Sequence, residues 1–194
     1  MPTRGTHAQE PREVSAAAPL RSLLFVPGDS ERKQAKALGA GADALILDLE
    51  DSVAAAQLPA ARQQVRRFLE SPVPPGGPQR WIRVNGPTSG EWAADLAVVM
   101  GGRPDGIVLP KVSSVREAAD VSRHVAELEE QAGASGASTR IIVIATETPR
   151  ALLTLGEYTP GAAGNRLAGL TWGMEDLSAA LGALAKVQDD GSLT

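Results

Sequence analysis

Six times along the chain, a short run rich in Val, Ile or Leu is followed by a longer amphipathic stretch, and this alternation limits the fold more than any other feature. The runs are Ser22–Val26, Ala44–Leu49, Trp81–Val84, Gly106–Leu109, Ile141–Ala145 and Leu167–Trp172. Each is closely bounded by Gly, Pro, Asp or Asn, as buried parallel strands are. The stretches between them, Glu31–Leu38, Ala60–Leu69, Trp92–Met100, Val115–Glu130, Arg150–Leu155 and Leu177–Ala185, have helical periodicity. Regular βα alternation implies an α/β fold with right-handed crossovers and a parallel sheet. The segments Ser71–Gln79 and Ala132–Ser138, rich in Pro, Gly, Ala or Ser, read as connectors rather than domain linkers. A closed (β/α) barrel needs eight units and about 250 residues, whereas an open doubly wound sheet satisfies the same alternation with fewer.

Residues 1–20 carry mixed charge with Pro, Ser and Thr and lack the apolar centre of a signal peptide. They read as a disordered leader on a cytoplasmic protein, with one domain from 21 to 194. No apolar stretch approaches the roughly 20 residues that span a bilayer. The formal net charge of −4, with no Lys/Arg run, offers no face for nucleic acid. With no cysteine, the chain has no disulfide, thiolate metal site or Cys nucleophile.

Ligands in α/β folds bind at the carboxyl ends of the strands. Those ends here read Pro27-Gly28-Asp29, Asp48-Leu49-Glu50-Asp51, Arg83-Val84-Asn85-Gly86, Leu109-Pro110-Lys111, Thr146-Glu147-Thr148 and Gly173-Met174-Glu175-Asp176. Charge gathers at the ends while the strand bodies are nearly free of it. The two-residue period of a strand puts Trp81, Arg83 and Asn85 on one face, Asp48 with Glu50, and Glu147 with Val143 and Ala145. The carboxylates Asp48, Glu50, Asp51, Glu147 and Asp176, with Glu175 a weaker sixth, form an all-oxygen set. His7 lies in the leader and His124 in a helix, which argues against zinc. Oxygen ligands favour Mg²⁺, with Mn²⁺ the other ion such a site takes. Clustered acids also need a cation, since mutual repulsion otherwise raises their pKa values.

Each residue taken singly has a plainer use. Asp48–Asp51 can be a turn and helix cap, and Glu147 and Asp176 can be caps. Arg83 can be half of a buried ion pair, Lys111 a solvated loop residue, and His124 a surface residue.

Together, six stretches in order resemble the citrate lyase β-subunit-like enzymes of the HpcH/HpaI aldolase group, which includes malyl-CoA and citramalyl-CoA lyases. They are Arg21–Gly28, Gly41–Val53, Ile82–Asn85, Leu109–Val112, Glu147–Leu152 and Gly173–Leu177. The resemblance implies a TIM (β/α)8-type barrel with about six of the eight units in this chain. It implies Mg²⁺ held by Glu147 and Asp176, with Glu50 and Asp51 in the catalytic acidic cluster and Arg83 on thioester or keto-acid oxygens. Arg21 and Lys111 would be substrate- or CoA-side residues. The implied reaction cleaves a 3-hydroxyacyl thioester of citryl, malyl or citramalyl type, on CoA or an acyl-carrier protein, into an acyl thioester and a keto acid. A homo-oligomer is implied as well. Leu58 stands where family members often carry Lys, while Arg62 matches. The family's last strands, and an aspartate that acts as acid/base in related CoA lyases, have no counterpart here. The chain alone is therefore expected to be poorly stable and to lack normal turnover. An aldolase acting on free keto acids, and a non-catalytic fragment that docks to a partner subunit, are the competing readings.

Overall fold

The computed structural model describes residues 19–133 and 138–192. Most of the 1–20 leader and of the Ala132–Ser138 connector lies outside them. Six parallel strands form one sheet in sequential order: β1 Leu23–Pro27, β2 Ala44–Asp48, β3 Gln79–Arg83, β4 Gly106–Leu109, β5 Arg140–Ile144 and β6 Leu167–Thr171. The intervening helices are α1 Glu31–Ala37, α2 Leu58–Glu70, α3 Trp92–Val99, α4 Val115–Gln131, α5 Pro149–Thr154 and α6 Met174–Ala180. Strictly sequential pairing, each strand beside its predecessor, is barrel order; a doubly wound sheet would reverse at a switch point.

The two sheet faces have different fates. Leu45, Leu47, Ile82, Ile107, Leu109, Ile141 and Val143 pack with the helical residues Val65, Leu96, Val99, Val121 and Val125 into the main core. Removing each such side chain from water stabilises the fold by about 1.5–3 kcal/mol. The opposite face holds a smaller cluster of Ala44, Ile46, Trp81, Val108 and Ile144. Strands β2 and β4 are buried on both faces along their whole length, which explains why they read as continuous apolar runs. The outermost strands β1 and β6 each pair with one neighbour, and Phe25 and Leu170 on them are exposed.

The last helix departs from the sequence reading, which had it run from Leu177 to Ala185. It begins at Met174, which puts Glu175 and Asp176 in its first turn, where a helix dipole favours acids. It stops before Gly182, which takes φ +68. There the N–H of Gly182 donates to the Ala179 carbonyl and that of Ala183 to the Ser178 carbonyl, at 3.1 and 2.9 Å. This is a Schellman closure, and it ends the helix where periodicity alone extended it.

Candidate active site

The carboxyl ends of β2, β3, β4, β5 and β6 bring six of the seven expected site residues together. Asp48 closes β2 on the inner face and is bonded by Arg83 from the end of β3, Nε to Oδ1 at 2.7 Å and Nη2 to Oδ2 at 2.8 Å. Its oxygens also accept the N–H groups of Glu50 and Ser52 at 3.0 and 3.1 Å. The plain turn role and the ion-pair role thus coexist in one side chain. Burial alone would raise the Asp48 pKa, but the Arg83 guanidinium outweighs it and holds the carboxylate below its ordinary value.

The other guanidinium nitrogen, Nη1, lies 3.2 Å from both Glu50 Oε2 and Asp51 Oδ2. Burial opposes the Arg83 charge, but its acidic partners raise its pKa further above the ordinary value. The Phe25 ring on β1 sits 4.9 Å from the guanidinium carbon, a cation–π contact absent from the sequence reading. Nothing in a strand pattern distinguishes an exposed edge phenylalanine from one placed over a charge.

Lys111 follows β4 in a left-handed conformation, φ +54, uncommon for a residue with a side chain. Its ammonium bonds Glu50, lies 3.0 Å from Asp51 and reaches to 3.9 Å from Asp176. Its backbone N–H donates to Glu147 Oε2 at 2.5 Å. Burial would lower the lysine pKa, but Glu50 and Asp51 hold it above the ordinary value. Glu50 itself is pushed up, chiefly by burial, despite these two cations.

Glu147 corrects the face assignment made from periodicity. Its companions in that reading, Val143 and Ala145, face the helices. Strand β5 ends at Ile144, however, and the turn after it swings Glu147 toward Lys111, Glu50 and Asp176. Burial, then the charges of Glu50 and Asp176, push its carboxyl up to about 7. Gly173 makes room for it, since a Cβ there would stand 2.4 Å from Glu147 Cγ. The Gly173 N–H is held in turn by Thr146 Oγ1 at 2.8 Å, which ties the β6 end to the β5 end.

Three further expectations change. Arg21 does not join the site: it precedes β1, at the opposite end of the sheet, where its side chain pairs with Asp43 ahead of β2 at 3.1 Å. Parallel strands point their amino ends away from the site, so an arginine before β1 cannot reach it. Asn85 leaves the Arg83 face, because β3 ends at Arg83 and the chain turns toward α3. Glu175 points away and pairs with Lys186. Beyond the expected set, α1 presents Arg32, Lys33 and Lys36 around one hollow on the unit that follows β1.

Five carboxylates therefore face two cations, and the acid carrying the least compensation is Glu147. Among the described residues, no three acidic or histidine side chains converge as a ready metal cage. Glu147 and Asp176 together offer what Mg²⁺ takes from a protein, one or two carboxylates with the remaining positions left to water and substrate oxygens. A divalent cation between them would oppose the burial and the like charges that push the Glu147 carboxyl up. The donor set fits.

Comparison with known proteins follows the same lines. The sequence profile of the HpcH/HpaI aldolase/citrate lyase family matches residues 21–191. A (3S)-malyl-CoA thioesterase of Cereibacter sphaeroides is 37% identical over 167 residues, covering 86% of this chain and 53% of the relative. The citrate lyase subunit beta of Escherichia coli is 34% identical over 157 residues, covering 80% and 50%. The chain thus spans about half the length of these relatives. The citrate lyase beta subunit of Mycobacterium tuberculosis complexed with oxaloacetate and magnesium superposes with a TM-score of 0.66 at 32% identity, covering 89% of this chain and 66% of that one. A structure of CitE from the same organism, with magnesium, acetoacetate and coenzyme A, gives 0.65 at 33% identity, covering 88% and 55%.

Proposed function

The chain belongs to the HpcH/HpaI aldolase/citrate lyase family, and from that premise we propose that it provides the site of a Mg²⁺-dependent carbon–carbon lyase. The substrate is a 3-hydroxyacyl thioester of the citryl, malyl or citramalyl class, and the products are an acyl thioester and a keto acid. The observation that carries this reading is the meeting of Glu147 and Asp176, at the ends of β5 and β6, beside Lys111.

Cleavage of such a substrate breaks the bond between its second and third carbons: the hydroxyl gives its proton to a base and becomes a carbonyl, while negative charge develops on the departing thioester half. In this reading Glu147 and Asp176 would hold Mg²⁺, which would supply a Lewis acid to the keto-acid half. Arg83, locked by Asp48, presents a fixed guanidinium toward the developing charge, where a preorganised donor contributes most. Lys111 offsets part of the charge of Glu50 and Asp51, which weakens the repulsion of an anionic substrate by the acidic loop. Arg32, Lys33 and Lys36 on α1 are suited to the phosphates of a CoA carrier. Solved relatives with magnesium, oxaloacetate, acetoacetate and coenzyme A support the ligand classes.

Calorimetry of Mg²⁺ and then oxaloacetate binding, on the parent chain and on Glu147→Gln and Asp176→Asn, tests the reading. Loss of both binding events in both variants is the expected result. Equal binding by the parent and both variants would sink it. Product analysis with malyl-CoA separates carbon–carbon cleavage, which yields glyoxylate, from thioester hydrolysis, which yields malate.

A further inference from the structure

The β2–β3 ladder ends in an exchange of partners. Regular parallel register runs to Asp48 opposite Arg83, and the next rung begins normally, with the Leu49 N–H donating to the Arg83 carbonyl at 2.9 Å. In a parallel ladder the Leu49 carbonyl would then accept the main-chain N–H of Asn85. That N–H instead donates to Asp95 Oδ2 at 2.7 Å. The side chain of Asn85 takes its place: Nδ2 donates to the Leu49 carbonyl at 3.1 Å and to Asp95 Oδ2 at 2.9 Å. Asp95, on α3, is fully buried, and its other oxygen accepts Arg62 Nε from α2 at 2.7 Å. Arg62 is itself held by Glu91 at 2.5 Å.

A charge this deeply buried is no bargain for stability, because desolvating it costs about as much as pairing returns. Its geometric effect is specific. Leu49 is the residue between Asp48 and Glu50, and Asn85 stands two residues after Arg83. The exchange frees the main chain of Asn85 to turn away from the sheet while keeping the end of β2 fastened to the end of β3. Arg83 and its three acidic partners, Asp48, Glu50 and Asp51, are carried on the strand ends so joined.

We propose that Asn85 and Asp95 are positioning residues, which set the acidic loop of β2 against the Arg83 guanidinium from behind the site. They touch no reacting atom and act through Leu49 and Arg83. The inference rests on the lyase reading only for its effect on keto-acid binding; the geometric part stands without it.

The test uses Asn85→Ala, with Asn85→Ser as a second variant that keeps a donor for Asp95 but is too short to span to Leu49. Solvent exchange of the Arg83 Nε–H is followed by nitrogen-15 NMR, the signal being identified by its loss in Arg83→Lys. The expected result is at least tenfold faster exchange of that N–H in either variant, with the β5 amide of Val143 unchanged. With Mg²⁺ present, the dissociation constant for oxaloacetate should rise at least tenfold while that for Mg²⁺ stays within twofold. An unchanged Arg83 Nε–H overturns the proposal, and so does equal acceleration at Val143, which would mean general loosening. Because the exchange measurement needs no ligand, failure of the parent chain to bind oxaloacetate would count against the lyase reading alone.

Discussion

Arg83 and Asp48 meet edge to edge across two neighbouring strands, with both carboxylate oxygens engaged by the guanidinium. Replacing Asp48 by Asn leaves a largely buried guanidinium short of its main partner. The expected cost is about 3 kcal/mol, the low end for breaking a buried pair, because Glu50 and Asp51 remain. Urea unfolding of the parent and Asp48→Asn measures it.

The same pair sets a pH dependence. Asp48 is held below its ordinary value in the folded chain, so its stabilisation is present above that ordinary value and is lost as pH falls through the folded one. Acid unfolding of Asp48→Asn should therefore depend less steeply on pH below about 4 than unfolding of the parent. Equal slopes would refute the assignment.

Glu147 carries the opposite sign. With its carboxyl pushed up to about 7 in the folded chain, the folded state keeps a proton that the unfolded state loses near 4.5. Its contribution to stability is full below 4.5 and falls away as pH rises through 7. Protons and Mg²⁺ compete for the same oxygens, so Mg²⁺ affinity should tighten as pH rises through that value, with nearly one proton released per ion at pH about 6. Titration in buffers of different ionisation enthalpy counts the protons.

Lys111 separates backbone from charge. Glycine adopts φ +54 without strain, so Lys111→Gly should be more stable than Lys111→Ala by about 1 kcal/mol, although both lose the ammonium. Lys111→Gly also preserves the N–H that holds Glu147. Chemical denaturation of the two variants decides it.

Gly173→Ala tests how tightly Glu147 is seated. The new Cβ would fall 2.4 Å from Glu147 Cγ and 2.9 Å from Ile144 Cγ2, and the long carboxylate is the part able to move. Mg²⁺ affinity is expected to drop at least tenfold in a folded variant. Unchanged affinity would mean that Glu147 is not a ligand.

How far the sequence carried these assignments depended on how far each residue lay from a strand body. Asp48 and Arg83 are the last residues of β2 and β3, still inside the two-residue period, and both stand on the expected face. Asn85 and Glu147 lie past the ends of their strands, where period-2 reasoning no longer applies, and both turn to the side opposite the expected one. Arg21 was grouped with the site by its motif, but it precedes its strand, and strand polarity puts it at the far end.

The alternation of apolar runs and helices determined, by itself, that the chain folds as parallel βα units with its acids and cations at the strand ends. Burial on both faces demands continuous apolar strands, and that demand is written locally. Which acids pair with which cations was decided only by the tertiary structure. A residue beyond a strand end takes its direction from the turn it enters and the groups it meets, such as Asp95 for Asn85 and the Lys111 N–H for Glu147. Those partners are 10 and 36 residues away, and no local pattern encodes them.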